Sequence, residues 1–412
     1  MKGKRFIKSL KLKNFLSFGP KGVEVELEPL NVLIGPNGAG KSNFVEAISV
    51  LRAAPTDLTK PFVEAGGGVH EWLWKGAPKT PTARIESVVD YPDGIMPLRY
   101  RIAFTEEQHR VRIVDELVEN QRAFDDAKDR KACRFYLHHD GTGVFFSRLS
   151  DKSLPGSDEG RKRRILRASM VDLERSVLSR RIGAASDPEI IYLAEQFRQV
   201  RIYRDWHLGP GAEIRSARDA GLPKDFLSDG SEWPSLANLA LVLNSFQKDP
   251  ATWETVLRRL QEFCGRVVEV NFDVYARQIQ LMLREKGAKT PIPTERLSDG
   301  TLQYLCLLSI LCHPSPPPLV CIEEPEVGLH PDGLAAVAEL LLGASERTQL
   351  IVTTHSDALV SALSEVPEAV IVCEWTEQGT SLRRLEGGSL QEWLKDYALG
   401  DLWRMGEIGG NP

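Results

Sequence analysis

Four short runs hold the residues best able to do chemistry. The first, Gly35-Pro36-Asn37-Gly38-Ala39-Gly40-Lys41-Ser42, fits the pattern GxxxxGK[ST]. It lies between the apolar run Asn31-Val32-Leu33-Ile34, which reads as a buried strand, and Phe44, Ile48 and Leu51, which recur at helical spacing. Glycines there let the backbone wrap closely enough for its N–H groups to point at phosphate oxygens, and the helix N-terminus adds partial positive charge. Lys41 brings a formal positive charge to β- and γ-phosphates, and Ser42 offers a hydroxyl to Mg²⁺. A chance glycine turn would not come with both the strand and the helix.

The second run is Leu319-Val320-Cys321-Ile322-Glu323-Glu324-Pro325, a buried strand ending in two carboxylates. Glu323 is placed to hold the Mg²⁺ shell, and Glu324 to polarise an attacking water as general base. Two glutamates ending a strand at a solvated edge is the competing reading, and the phosphate loop upstream weakens it. In the third run, Leu297-Ser298-Asp299-Gly300-Thr301, Ser298 can cap a helix that continues through Leu302, Leu305 and Leu308. A second anion-facing helix terminus is redundant in one chain, but it makes sense if one subunit's serine reaches the other subunit's γ-phosphate. A plain capped core helix is the bland alternative. The fourth run, Ile351-Val352-Thr353-Thr354-His355-Ser356, ends a strand in a histidine that could sense a γ-phosphate or hold the water.

The elements that must position these runs are legible in outline. Phe6, Ile7, Leu10, Leu12 and Phe15 interleave with lysines, and Val23, Val25 and Leu27 alternate with glutamates, both patterns of half-buried antiparallel strands. Strand patterning returns from Thr80 to Val118. From Asp125 to Phe246 the chain is irregular, more charged and partly helical, and reads as an insertion. Residues 1–120 are expected to form one lobe of a discontinuous head, 121–255 the insertion, and 256–412 the second lobe. Residues Gly406 to Pro412 are expected to be loosely held.

Composition sets the outer limits. At 412 residues, with 42% hydrophobic and 26% charged residues, the chain has the apolar mass for two or three packed domains. A net charge of −5 does not advertise nucleic-acid binding by the molecule as a whole. The six cysteines form no CxxC pair and read as reduced thiols. No apolar run approaches a membrane span, and the basic N-terminus lacks the apolar core of a signal peptide. A cytoplasmic location and no membrane partner are therefore expected.

In this order, the four runs resemble the ABC-type head ATPases of the RecF/SMC/OLD group. Ser298-Asp299-Gly300 is similar to the ABC signature and His355 to the switch histidine. The opening Ile7 to Phe15, with Glu323-Glu324-Pro325-Glu326 and Leu329-His330-Pro331, most resembles OLD-type predicted ATPases, several of which serve in bacterial anti-phage defence. The resemblance covers roughly residues 1–120 and 260–375. It implies an α/β fold: a P-loop NTPase head of ABC type with a mixed, largely parallel sheet flanked by helices, an antiparallel β subdomain and a partly helical insertion. It also implies ATP and Mg²⁺ as cofactors, hydrolysis of ATP, and a homodimer or higher oligomer formed through the heads. A separate effector such as a nuclease, controlled in anti-phage defence or DNA repair, would be the output. The alternative is an ATP-gated assembly scaffold with slow turnover and no nucleic-acid binding.

The chain departs from the group in four ways. His330 stands where many ABC proteins carry the D-loop aspartate, and no Q-loop glutamine can be placed, Gln108 and Gln199 being candidates near the strand-like Val200 to Arg204. No long heptad arm is present. Too few residues follow His355 for the Toprim domain of OLD nucleases, so the chain is not expected to be a nuclease itself. Weaker features are a basic cluster and two tryptophan groups. Arg161, Lys162, Arg163, Arg164 and Arg167 could follow a phosphate backbone or be a solvated helix face. Trp72 and Trp74, and the C-terminal Leu394, Leu402, Trp393 and Trp403, read first as packing residues.

Overall fold

A computed structural model describes residues 2–123, 132–139, 142–147, 162–166, 172–180, 187–222 and 236–410. Its centre is a six-stranded sheet in the order Arg201–Tyr203, Leu319–Glu323, Gln349–Thr353, Leu30–Ile34, Val370–Thr376, Gly379–Arg384. The first five strands are parallel and the last turns back antiparallel. All five residues of Leu30–Ile34 are buried, because a parallel strand covered on both faces has no solvent side. This strand from near the N-terminus lies between two strands from beyond residue 348, so the head is discontinuous in sequence, as its motif order requires.

The two-residue period of the strands divides the apolar mass into two cores. Leu33, Cys321, Ile351, Ile371 and Cys373 face one core, shared with the helix Lys41–Ala53 and the inner face of a second sheet. Val32, Ile34, Val320, Ile322, Val352 and Val372 face the other, packed by the helices Asp299–Leu311 and Leu334–Ser345. The second sheet is antiparallel and eight-stranded. It runs Val23–Glu26, Ile7–Lys13, Ala83–Val89, Leu98–Glu107, Arg110–Ala123, Ala132–His139, Thr142–Ser147, Lys162–Leu166. The alternation read at the N-terminus is present here: Ile7, Leu10 and Leu12 are buried while Lys11 and Lys13 are exposed. A small third sheet pairs Val267–Tyr275 and Gln278–Glu285 as a hairpin, with Arg218–Asp219 and Ile292–Pro293 on its far edge.

The stretch 121–255 is helical only in part. Ala132–His139, Thr142–Ser147 and Lys162–Leu166 extend the antiparallel sheet, so Lys162, Arg163 and Arg164 lie on a strand and not on a helix face. Arg161 and Arg167 lie outside the described residues. The helix Pro188–Gln199 then leads into Arg201–Tyr203, the edge strand of the central sheet. Charge and irregular spacing hid these strands. Only three residues of Arg201–Tyr203 pair, too few to carry a periodic signal.

The C-terminal glycines are also better held than their composition implies. Ile408 is buried, the Gly410 N–H donates to Glu374 Oε1 at 2.9 Å, and the Trp403 indole N–H donates to the Gly410 carbonyl. Trp403 and Leu402 are buried in the chain's own head, and Trp72 packs edge-on against Phe15 and Phe62. Among the described residues no helix is long and apolar enough to cross a membrane.

Gln349 fastens the two large sheets together. Its side chain is fully buried: Oε1 accepts from the Ile7 N–H at 2.8 Å, while Nε2 donates to the Ile7 carbonyl at 2.8 Å and the Glu28 carbonyl at 3.1 Å. Gln349→Leu keeps the volume and strands those backbone groups, which should cost about 2 kcal/mol or more. Urea unfolding should show a lower midpoint at unchanged slope, and an unchanged midpoint would refute the clamp.

Candidate nucleotide-binding site

The carboxyl ends of the parallel strands converge on one crevice, the usual ligand position in an open α/β sheet. From Leu30–Ile34 the chain enters the glycine loop with Gly35, Gly38 and Gly40 at φ +145°, +79° and +103°. A Cβ on Gly35 would collide with the Cys373 carbonyl, and one on Gly40 with the Thr380 hydroxyl, so the loop needs glycine for both conformation and clearance. The helix Lys41–Ala53 starts directly from Gly40. Lys41 is 6% exposed, and its ammonium donates to the Gly35 and Pro36 carbonyls at 2.8 and 3.1 Å. Burial pulls its pKa down, against the opposing pull of Cys373, Glu324 and Glu326.

Ser42 and Glu323, expected to share a cation, are neighbours, and the Ser42 hydroxyl is one of the groups that stabilise the Glu323 carboxylate. Burial raises the Glu323 pKa, the Arg204 cation and the Ser42 hydroxyl lower it, and Glu46 and Asp205 raise it further. Glu323 Oε1 is buried without a hydrogen-bond donor, with Arg204 Nε standing 3.8 Å away. An under-coordinated buried carboxylate oxygen beside a hydroxyl fits a hard divalent cation. Among the described residues no three His, Cys, Asp or Glu side chains cluster as a metal site. Mg²⁺ would therefore take Ser42 and Glu323 from the chain and its other oxygens from phosphate and water.

Glu324 follows with φ +47°, a left-handed conformation that costs a non-glycine residue of order 1 kcal/mol. Hydrogen bonds on both sides hold it there, from the Glu324 N–H to the Thr353 carbonyl at 2.9 Å and from the Val327 N–H to the Glu324 carbonyl at 3.1 Å. The twist turns its carboxylate out of the sheet to within 3.7 Å of His355 Nε2. The His355 pKa is lowered by burial first and the Lys41 cation second, with Glu324 opposing. Its loop is fixed by Glu326, whose Oε1 accepts from the Thr354 hydroxyl at 2.7 Å and the His355 N–H at 2.8 Å.

Ser298 caps its helix as expected, accepting from the Thr301 N–H at 3.1 Å. Ser298 and Asp299 are exposed, and among the described residues no hydrogen bond or ion pair joins Ser298, Asp299 or Gly300 to the phosphate loop or to Glu323, Glu324 or His355. The fold thus brings together Gly35 to Ser42, Glu323, Glu324 and His355, and the serine-capped helix packs on the segment just past Glu324, with Gln303 Nε2 donating to the Pro325 carbonyl at 3.2 Å. Gly300 packs under Gly328, where a Cβ would press on the Gly328 carbonyl. Of the glutamine candidates, Gln108 sits in a hairpin turn and Gln199 ends a helix, and Arg204 and Asp205 follow the strand Arg201–Tyr203 instead. His330 is exposed and caps the short turn Pro331–Gly333.

Three residues that position the site were not singled out from sequence. Arg204 bridges the phosphate-loop helix to the acidic strand, with Nη1 on Glu46 at 2.6 Å and Nε facing Glu323. Arg215, 7% exposed, donates to the carbonyls of Leu208, Thr294 and Leu297 and pairs with Asp299, which sets the loop that presents Ser298. Glu326 was visible inside its motif, but an acid two positions past the Glu323-Glu324 pair gives no sign of bonding a distant strand end. Neither arginine carries a spacing signal, because each makes contacts more than 75 residues away in sequence.

This crevice, on this topology, defines a P-loop ATPase head of ABC type, of the RecF/SMC-like kind. The family model described as "AAA domain, putative AbiEii toxin, Type IV TA system" matches residues 30–361, and the chain belongs to that family. Two solved structures share the fold. An SMC head bound to the C-winged helix domain of ScpA is 14% identical over 93% of this chain and 99% of that one, with a TM-score of 0.56. An SMC head with an extended coiled coil, bound to the C-terminal domain of ScpA and derived from Pyrococcus furiosus, is 13% identical over 95% and 99%, with a TM-score of 0.52. No curated protein matches the chain by sequence.

Two measurements probe this geometry. If the backbone at Glu324 is strained, Glu324→Gly should be more stable to urea than Glu324→Ala by about 1 kcal/mol, and equal midpoints would remove the strain. For His355, an unfolded histidine titrates near about pH 6.5, above the folded group. Just below that pH the unfolded chain binds the proton and the folded chain does not, so stability rises with pH through the window. His355→Gln should flatten that part of the stability–pH curve, and an unchanged slope would contradict the neutral imidazole.

Proposed function

We propose that the chain binds ATP with Mg²⁺ in this crevice, hydrolyses it, and uses the cycle to close and open a pair of heads. The observation that carries the reading is the meeting of the Lys41 loop, the Ser42–Glu323 pair and the Glu324–His355 pair at one sheet end. Loop N–H groups and Lys41 hold the triphosphate. Ser42 and Glu323 hold Mg²⁺, which supplies charge neutralisation of the phosphates when bound. Glu324 takes a proton from the attacking water, and neutral His355 holds that water or the γ-phosphate. Ser298 and Gly300 complete the site of a second head, which accounts for an exposed helix N-terminus braced by the buried Arg215.

The output we assign is control of a separate effector such as a nuclease, in anti-phage defence or DNA repair, with nucleic acid as the trigger. Lys162, Arg163 and Arg164, on the edge strand of the large antiparallel sheet, are the proposed contact, together with Arg161 and Arg167. The solved SMC heads were captured with a partner protein, so this fold supports protein control surfaces. The scaffold alternative, with slow turnover and no nucleic-acid contact, is separated by ATPase rate with and without duplex DNA at two salt concentrations. Salt-sensitive stimulation supports the trigger, and none supports the scaffold.

Glu324→Gln should bind ATP at near wild-type affinity, lose hydrolysis by at least about 100-fold, and accumulate as a dimer in light scattering. Ser298→Arg in the same background should keep ATP binding and abolish the dimer. Wild-type turnover by Glu324→Gln would remove the general base, and a dimer that survives Ser298→Arg would remove the shared site.

A further inference from the structure

We propose that Trp375 is the stacking platform for the nucleobase, set by the hairpin Val370–Thr376/Gly379–Arg384. The proposal rests on the phosphate-loop reading above and adds where the rest of the nucleotide goes. Strand order fixes the direction. Gln349–Thr353 and Leu319–Glu323, which deliver His355 and the two glutamates, lie on one side of Leu30–Ile34, and Val370–Thr376 lies on the other. A triphosphate with its γ-phosphate at Glu324 and His355 therefore sends its nucleoside toward the hairpin.

Register places Trp375 there. Val372 pairs with Ile34, so Cys373 comes level with Gly35, against whose Cα it packs, and Trp375 lies two residues beyond on the same face. Trp375 is also directly opposite Thr380, and opposed residues of an antiparallel pair share a face. Thr380 marks that face as the phosphate-loop side: its hydroxyl contacts the Ala39 carbonyl at 2.9 Å and the Ser17 hydroxyl at 2.7 Å. The hairpin turn is braced against the loop that carries Ser17, with the Thr380 N–H on the Ser17 carbonyl at 2.8 Å and Gly379 seated on Gly19. The indole is thus on a rigid mount beside the phosphate loop, yet 59% exposed, where burial would otherwise favour covering it. A purine ring laid on it would gain stacking that tolerates any base.

Calorimetric titration of the whole chain with ATP, GTP and inorganic tripolyphosphate tests this. Trp375→Ala should weaken ATP and GTP alike by roughly tenfold and leave tripolyphosphate unchanged, and Trp375→Phe should restore most of the loss. Lys41→Ala should weaken all three. If Trp375→Ala binds ATP like wild type, or loses tripolyphosphate equally, the stacking assignment fails while the phosphate loop stands, provided Lys41→Ala still loses all three. If Lys41→Ala keeps all three, the phosphate-loop reading itself fails and this inference with it.

Discussion

The buried ammonium of Lys41 is the constraint on which the rest of the structure turns. A cation 6% exposed is costly unless its three donors are met and its charge is offset. Here the Gly35 and Pro36 carbonyls meet two donors, which forces the loop to curl back over its own helix and makes glycine obligatory at its turning points. Glu324 and Glu326 offset the charge from a strand nearly 300 residues away in sequence. Order in the central sheet follows from this requirement: the loop strand must lie close to the acid strand, so the chain has to close on itself before the site exists.

The acids do not reach the crevice passively. A strand running straight through Glu323 and Glu324 would send the two carboxylates to opposite faces of the sheet. The left-handed turn at Glu324 breaks that alternation, keeping Glu323 low against Ser42 and lifting Glu324 toward His355. The surrounding hydrogen bonds hold the turn, and Glu326, bonded across to Thr354 and the His355 N–H, ties the acid loop to the histidine loop. The acid loop and the histidine loop are therefore tied together, with the left-handed backbone of Glu324 between them.

How much was readable from sequence followed the range of the interactions. The phosphate loop, the acid pair and the histidine are local patterns whose chemistry is set within a few residues, and each was placed from its spacing. The alternating N-terminal strands were equally clear, because their period is written in adjacent residues. Arg204, Arg215 and Gln349 were not legible: an arginine or glutamine acquires its role only from carbonyls and carboxylates brought near by folding. The strands of 121–255 were obscured for a related reason. They are short or highly charged, and an edge strand such as Lys162–Leu166 owes its state to its neighbour and not to its own alternation.

The loop, Ser42, Glu323, Glu324 and His355 line one side of the crevice, and Glu324 stays about half exposed. Phosphoryl transfer needs donors aimed at charge developing on the γ-phosphate and exclusion of stray water, and an open wall provides neither in full. A helix N-terminus with a small polar residue and a glycine that allows close approach can supply such donors. The chain presents one at Ser298-Asp299-Gly300, braced by the buried Arg215, with Ser298 and Asp299 in solvent and Gly300 packed on Gly328. Under the proposed cycle that exposed terminus is the surface a second head would use, which ties the dimer proposal to the brace that Arg215 provides.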